Sequence, residues 1–424
     1  MDNQLYWSLR NLVIKLYLNT LYPRILKRRV KKIGRKDRIE VVFFAMNVAM
    51  WRYQGVYDLL SKEERFNCHI VLTVPNSFTR EQQALDLQQM RDYFQKKNIN
   101  YLDYDESNNR AFDVKRHINP DILFYPQPYG GNMYPREHDF SAFKDKLWCY
   151  IPYGINVVKE ADWIYDLYFH NLAWKIYRPL RHETDITVKT ARNRGRNTVT
   201  SGYLNLDRYL LESAEDVWKI KSHYHKRLIW APHFSIDPEN VLLKGRANFL
   251  WMSQLMLDIA VQYKDRLQIA FKPHPRLKSE LYRHPDWGKE KADRYYELWA
   301  TMENTQLETG DFVDLFKTSD AMIHDSGSFT AEYLFVNKPV AFSTKDIETL
   351  LKEHSEFGRA ALKQHYIVGD ESEVRSFIEK VVLAGQDQMA AKRTEFYEAV
   401  LKPNVKGTTS QFIVDDIKKS LGID

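Results

Sequence analysis

Ala321-Met322-Ile323-His324-Asp325-Ser326-Gly327-Ser328-Phe329-Thr330-Ala331-Glu332 passes from an apolar run, through a turn of small polar residues, into a helical pattern. Four consecutive apolar-compatible positions closed by Asp, Ser and Gly read as a buried strand feeding a helix. The same form recurs at Leu267–Phe271, which runs into Lys272-Pro273-His274-Pro275-Arg276, and at Leu228–Ala231 and Pro339–Phe342. Helical stretches at Leu250–Tyr263, Phe329–Phe335 and Glu373–Leu383 lie between and after them. Strands alternating with helices predict a parallel sheet covered on both faces. The first half repeats the pattern. Ile39–Ala45, His69–Val74, Asp121–Tyr125 and Leu147–Ile151 read as strands, and Val56–Leu60 and Glu81–Lys97 as helices.

Two α/β units follow, with a helical stretch over Leu206–His225 at the boundary. The predicted division is a basic segment at 1–38, a Rossmann-like domain at 39–215 and a second at 216–424. A chain of 424 residues, 44% hydrophobic, is long enough for two such cores. Only Cys68 and Cys149 occur, without CxxC or Cys/His spacing, so no zinc site or disulfide framework is expected. Neither a membrane-spanning apolar run nor a secretory leader pattern is visible, and the expected location is the cytoplasm.

The net charge of +6 is uneven. Residues 1–38 hold eleven Lys/Arg against Asp2 and Asp37, a segment charge of +9 that leaves −3 for the remainder. A nucleic-acid binder needs cations across its folded face, so this class is not expected. Leu5, Leu9, Leu12, Val13 and Leu16 share a helical face beside Trp7 and Tyr17. Pro23 is expected to break or kink the helix, and Lys27-Arg28-Arg29-Val30-Lys31-Lys32 follows. This pattern suits either peripheral attachment to an anionic inner membrane face or a helix packed on the protein with a solvated basic tail.

In open parallel sheets ligands bind beyond the carboxyl ends of strands. Lys272, His274 and Arg276 occupy such an exit in a loop stiffened by two prolines, which suits an anionic ligand. Pro275 biases His274 toward extended backbone. Asp325, Ser326, Gly327 and Ser328 occupy another, where small residues let a phosphate approach the amides of a helix start; a serine there also serves as a plain N-cap. Glu332 lies one turn after Ser328, as a ribose ligand or a solvated surface residue. Asp103-Tyr104-Asp105 mimics a metal-binding motif but sits on a polar loop, and no metal or cofactor is expected.

Together, Phe271–Leu277, Asp311–Phe316, Ser319-Asp320 and Asp325–Tyr333 resemble the C-terminal domain of the CDP-glycerol glycerophosphotransferase family. Trp230-Ala231-Pro232-His233-Phe234 is similar to that family's aromatic-Ala-Pro-Thr segment, and Ser201–Asp207 to its Gly-x-Pro-x-x-Asp turn. The resemblance implies a GT-B fold, with two doubly wound domains facing across a cleft. It implies transfer of glycerol or ribitol phosphate from a CDP donor to a polymer or lipid-linked acceptor in teichoic acid or capsule synthesis. By position, His274 and Ser328 would contact the donor phosphates and Glu332 the ribose; Lys272, His233, Asp325, Ser326 and Gly327 would complete the donor site with Arg276. The Asp-Ser-Gly-Ser spelling also resembles the loop of UDP-N-acetylglucosamine 2-epimerases, which keeps a nucleotide-sugar donor open as an alternative, along with a non-catalytic donor-binding partner. Where the family places His-Gly-Thr with its expected base, this chain has Tyr153-Gly154-Ile155. Tyr153 is a poor base near its usual pKa, so Glu160, Asp162 and His170 are the other candidates.

Overall fold

The computed structural model describes residues 3–105, 107–131, 134–159, 162–211, 213–222, 224–237, 247–402 and 405–423. The chain divides into two compact units, Met1–Tyr153 with Glu160–Asp207 and Pro403–Asp424, and Gly154–Lys159 with Arg208–Lys402.

In the first unit, β1 (Ile39–Ala45), β2 (Phe66–Leu72), β3 (Ile122–Tyr125), β4 (Leu147–Tyr150), β5 (Lys175–Arg178) and β6 (Thr198–Thr200) form one sheet in the order β2-β1-β3-β4-β5-β6. Every pairing is parallel. Side chains alternate across a strand, and β1 shows the result: Val41, Phe43 and Ala45 enter one core, Val42 and Phe44 the other. A strand buried on both faces has no polar stripe, which is why Val41–Ala45 reads as a continuous apolar run.

The second unit holds β7 (Lys226–Ala231), β8 (Leu267–Phe271), β9 (Thr305–Leu307), β10 (Ala321–His324), β11 (Val340–Ser343) and β12 (Tyr366–Val368), in the order β12-β11-β10-β7-β8-β9. These pairings are parallel too. Trp230, Phe249, Phe271 and Trp299 pack at the centre of its core, with Trp230 and Trp299 ring centroids 5.5 Å apart.

Four strands escaped the sequence reading. β6, β9 and β12 are three residues long, too short for a period to register, and β5 is Lys-Ile-Tyr-Arg, whose charged ends leave no apolar run. The helix expected over Leu206–His225 ends at Leu211. Residues 213–222 form no helix, and their polar groups are held by the second unit: Lys219 N–H donates to Gln306 Oε1 (2.7 Å), Ile220 N–H to Gln268 Oε1 (2.8 Å), and the buried Trp218 indole to Thr318 (3.0 Å).

Pro23 does not end the first helix, which runs from Asn3 to Ile33. Proline has no N–H for the carbonyl four residues earlier; that carbonyl, on Asn19, accepts from Arg196 Nη1 instead (2.7 Å). The second half of the helix is docked, with Leu18, Tyr22 and Ile33 buried. Its first turns are not: Trp7, Leu9, Leu12, Val13 and Leu16 are 51–64% exposed. No described helix is long and apolar enough to cross a membrane.

The second domain was expected to run unbroken to residue 424, but the helix Thr409–Leu421 belongs to the first unit. Ile413, Val414, Ile417 and Leu421 enter the first core. The Asp207 carboxylate accepts the amides of Thr409 (2.7 Å) and Ser410 (2.8 Å), two donors that a helix start leaves without partners. Gly55 permits the close approach, since a Cβ there would lie 2.3 Å from Ser410 Oγ. An amphipathic pattern shows that a helix has a buried face without showing which sheet buries it.

Candidate functional site

The order of the second sheet decides where a ligand fits. From β7 the chain runs outward to β8 and β9, then returns to place β10 on the other side of β7. Such a reversal opens a crevice at the carboxyl ends of the two strands where it occurs. The exits of β10, β7 and β8 stand side by side, and they carry Asp325–Ser328, Pro232–Ser235 and Lys272–Arg276 respectively.

The middle loop links its neighbours. His233 N–H donates to Asp325 Oδ1 (2.6 Å), and His274 N–H donates to the Pro232 carbonyl (3.0 Å). The His233 and His274 rings meet edge to face with centroids 5.0 Å apart, and Phe234 packs on His274 at 4.5 Å. The Arg276 guanidinium stacks 4.2 Å over the Phe234 ring and donates to Glu280 (3.1 Å). Asp325 ties in a further segment, because its Oδ2 accepts Asn248 N–H (2.6 Å). One carboxylate thereby orients two loops and the start of helix Phe249–Gln262.

Burial disfavours the charged form of both rings. Nδ1 of His274 accepts the Arg276 amide (3.1 Å), which leaves its proton on Nε2. Burial, with the nearby His233 and Arg276, pushes its pKa down to about 3. Nδ1 of His233 is engaged with Ser235 (2.9 Å to Oγ), and burial with Arg276 lowers its pKa to about 4. A neutral N–H in an enclosed site suits an anionic oxygen and takes up no proton at neutral pH. Asp325 shifts the other way, its pKa raised to about 6 by burial despite the amides of Asn248 and His233.

Ser326 sits at the N-cap of helix Gly327–Glu332, but its side chain makes no capping bond. Its amide donates to His324 Nδ1 (3.1 Å). Thr330 N–H to Ser326 O (3.3 Å) is the first amide bond of the helix, so the amides of Gly327, Ser328 and Phe329 precede it. Ser328 is exposed. Glu332 is only 2% exposed, which excludes a solvated surface role. The segment Gly154–Lys159 lies along this helix: a Cβ on Gly154 would sit 3.6 Å from Glu332 Oε1, and one on Gly327 3.6 Å from Val157 Cγ2. Lys272 is turned aside, its ammonium donating to the Gly310 carbonyl (2.8 Å).

Of the candidate bases, Tyr153 and His170 fall in the first unit. Tyr153 belongs to the first unit, where its carbonyl accepts from Arg52 Nε (3.2 Å). His170 is 1% exposed, with Nδ1 accepting Leu167 N–H (3.2 Å) and its pKa pressed well below the usual value by burial and Arg178. Glu160 and the Asp162 side chain lie outside the described residues. In Asp103-Tyr104-Asp105, Asp103 pairs with Arg91 (2.9 Å) and Asp105 accepts from Ser107 and Asn108. Among the described residues no group of three or more His, Cys, Asp or Glu is placed to hold a metal. The sequence reading missed Asn248 and His324. Asn248 directly precedes an apolar helical stretch, the usual sign of a cap, but its bond to Asp325 spans 77 residues.

The CDP-Glycerol:Poly(glycerophosphate) glycerophosphotransferase family matches residues 175–418. Among solved structures, a variant of the wall teichoic acid polymerase TagF is 14% identical with a TM-score of 0.59, covering 99% of this chain and 98% of its own. MnaA of S. aureus, solved with UDP, is 15% identical with a TM-score of 0.54 (92% and 98% covered). UDP-GlcNAc 2-epimerase from Neisseria meningitidis is 13% identical with a TM-score of 0.52 (90% and 100% covered). No curated protein matches the sequence. At these identities the structures speak for the fold, two parallel α/β units of GT-B type. The family match spans more than half of the chain and contains every residue of the three-loop crevice, and the chain belongs to the CDP-glycerol:poly(glycerophosphate) glycerophosphotransferase family of transferases.

Proposed function

We infer that the protein transfers glycerol phosphate from CDP-glycerol to a hydroxyl of a cell-envelope polymer or lipid-linked primer. The observation that carries this is the loop crevice inside the family match, where the His233 loop is bonded both to Asp325, just before a helix start, and to the His274 loop. The acceptor oxygen attacks the phosphorus that bears glycerol, the bond to the second phosphate breaks, and CMP departs with the bonding electrons. Little covalent work is needed from the protein in such a transfer; positioning and charge stabilisation carry it. His274 Nε2–H and the amides of Gly327 and Ser328 hold the diphosphate, Arg276 adds charge at the rim, and Glu332 receives ribose hydroxyls. A solved TagF structure carries a CDPG soak, in keeping with this donor. Labelled CDP-glycerol should give acceptor-dependent CMP release, and a UDP-sugar panel should give none. Turnover of a UDP-sugar instead would replace this donor assignment, and CDP binding without turnover on any acceptor would support a non-catalytic partner.

The acceptor side is a membrane surface. Leu9, Leu12, Val13 and Leu16 are exposed on the first turns of the long helix, Trp7 lies under the Arg10 guanidinium at 5.0 Å, and the cations at 24–32 follow. Each cation near an anionic leaflet contributes about 1 kcal/mol. The Leu12→Glu/Leu16→Glu variant should sediment with anionic phosphatidylglycerol vesicles at least tenfold less than wild type. Equal sedimentation would reject the anchor.

A further inference from the structure

Arg178, the last residue of β5, is 3% exposed, yet no carboxylate is paired with it among the described residues. Its Nη2 donates to the Ile164 carbonyl (3.2 Å), its guanidinium lies 4.8 Å over the Tyr165 ring, and its Nε has no acceptor. His170 faces the same field. Its Nδ1 takes the Leu167 amide, so its proton sits on Nε2, and that atom is also buried without a partner. The His170 ring lies 5.9 Å from that of Tyr150 at the end of β4. Asp166, on the same loop, is held by Arg192 (2.9 Å) and does not neutralise Arg178.

Buried donors are ordinarily satisfied, and a buried guanidinium is ordinarily paired. Here two unsatisfied donors, one of them charged, stand near the carboxyl edge of the first sheet among Tyr150, Tyr165 and the ring of His170 itself. We propose that Arg178 and His170 form an anion site in the first unit, taking a phosphate oxyanion of the acceptor. The arginine supplies the charge and the imidazole a neutral N–H, the pairing that a phosphodiester accepts and that a neutral sugar hydroxyl does not require. The assignment to the acceptor rests on the glycerophosphate-transfer reading; the phosphate affinity itself does not.

The test is calorimetric, on the full chain with saturating CDP to occupy the second unit. Inorganic phosphate and a short glycerol phosphate oligomer are titrated into wild type, Arg178→Lys and His170→Asn. Asparagine preserves an acceptor for the Leu167 amide and removes only the Nε2–H, so His170→Asn decides the matter should Arg178→Lys fail to fold. Wild type should bind both probes, with Arg178→Lys at least tenfold and His170→Asn at least threefold weaker, and CDP affinity unchanged. In turnover, the acceptor KM should rise while the donor KM stays constant. No phosphate binding by CDP-loaded wild type, or undiminished binding by His170→Asn, would overturn the site. Failure of wild type to bind CDP would instead strike the donor reading, and phosphate titration without CDP would still decide this one.

Discussion

Replacing His274 with alanine is expected to lower kcat/KM for CDP-glycerol by about 10²–10³-fold, the usual effect of deleting one preorganised donor at a developing oxyanion, or about 2.7–4 kcal/mol. The expectation rests on the tautomer. With Nδ1 accepting the Arg276 amide, Nε2–H is the only proton the ring can offer, and the backbone bond to Pro232 holds the residue in place. His274→Gln, which restores an amide N–H near that position, should recover part of the loss. Steady-state rates over pH 5–9 provide the check. Because its pKa is lowered to about 3, the imidazole does not titrate in this range, and no acid limb near pH 6.5 should belong to it. Such a limb, abolished in His274→Gln, would make the residue a base and refute the donor role.

The same shift has a sign in stability. An unfolded histidine titrates near 6.5, so below that pH the unfolded chain binds more protons and the folded state weakens as pH falls toward 3. His138 and His233, both about 4, and His365, about 3, act in the same direction. Asp325 acts oppositely: its pKa is raised to about 6, so its favourable contribution is complete below about 3.8 and is lost as pH rises through 6.

Asp325→Ala is expected to destabilise the second unit by about 2–6 kcal/mol, since an enclosed amide deprived of its acceptor costs about 1–3 kcal/mol and this change strands two. The carboxylate is the shared acceptor for His233 N–H and Asn248 N–H, both at 2.6 Å. Losing it frees the middle loop, so CDP affinity should fall with stability. Asp325→Asn should cost less than alanine, because it keeps one oxygen acceptor and removes a charge that burial already disfavours. Denaturant unfolding at pH 7 measures both variants. An alanine variant within about 0.5 kcal/mol of wild type, binding CDP normally, would show that the carboxylate does not organise the loops.

Asp325 also marks how far local sequence reaches. The apolar run Ala321–His324 and the small residues after it state a strand, a turn and a helix start by themselves, because each depends on neighbours within a few positions. Lys272-Pro273-His274-Pro275 was legible for the same reason. Yet Lys272 turned out to bond Gly310, and Glu332 to be buried, since burial depends on what other segments cover.

From sequence alone came two parallel α/β units, the strand-exit loops and the charged first helix, all carried by short-range periodicity and turn chemistry. Only the tertiary structure decided that β7 lies between β10 and β8, so that His233 joins the two motifs. It also decided that Arg196 supplies the bond Pro23 cannot make, that Asp207 holds the returning C-terminal helix, and that Arg178 is buried with no carboxylate paired to it among the described residues. Each of these joins residues distant in the chain, and no window of neighbouring residues specifies which remote partner will satisfy a hydrogen bond or cover a side chain.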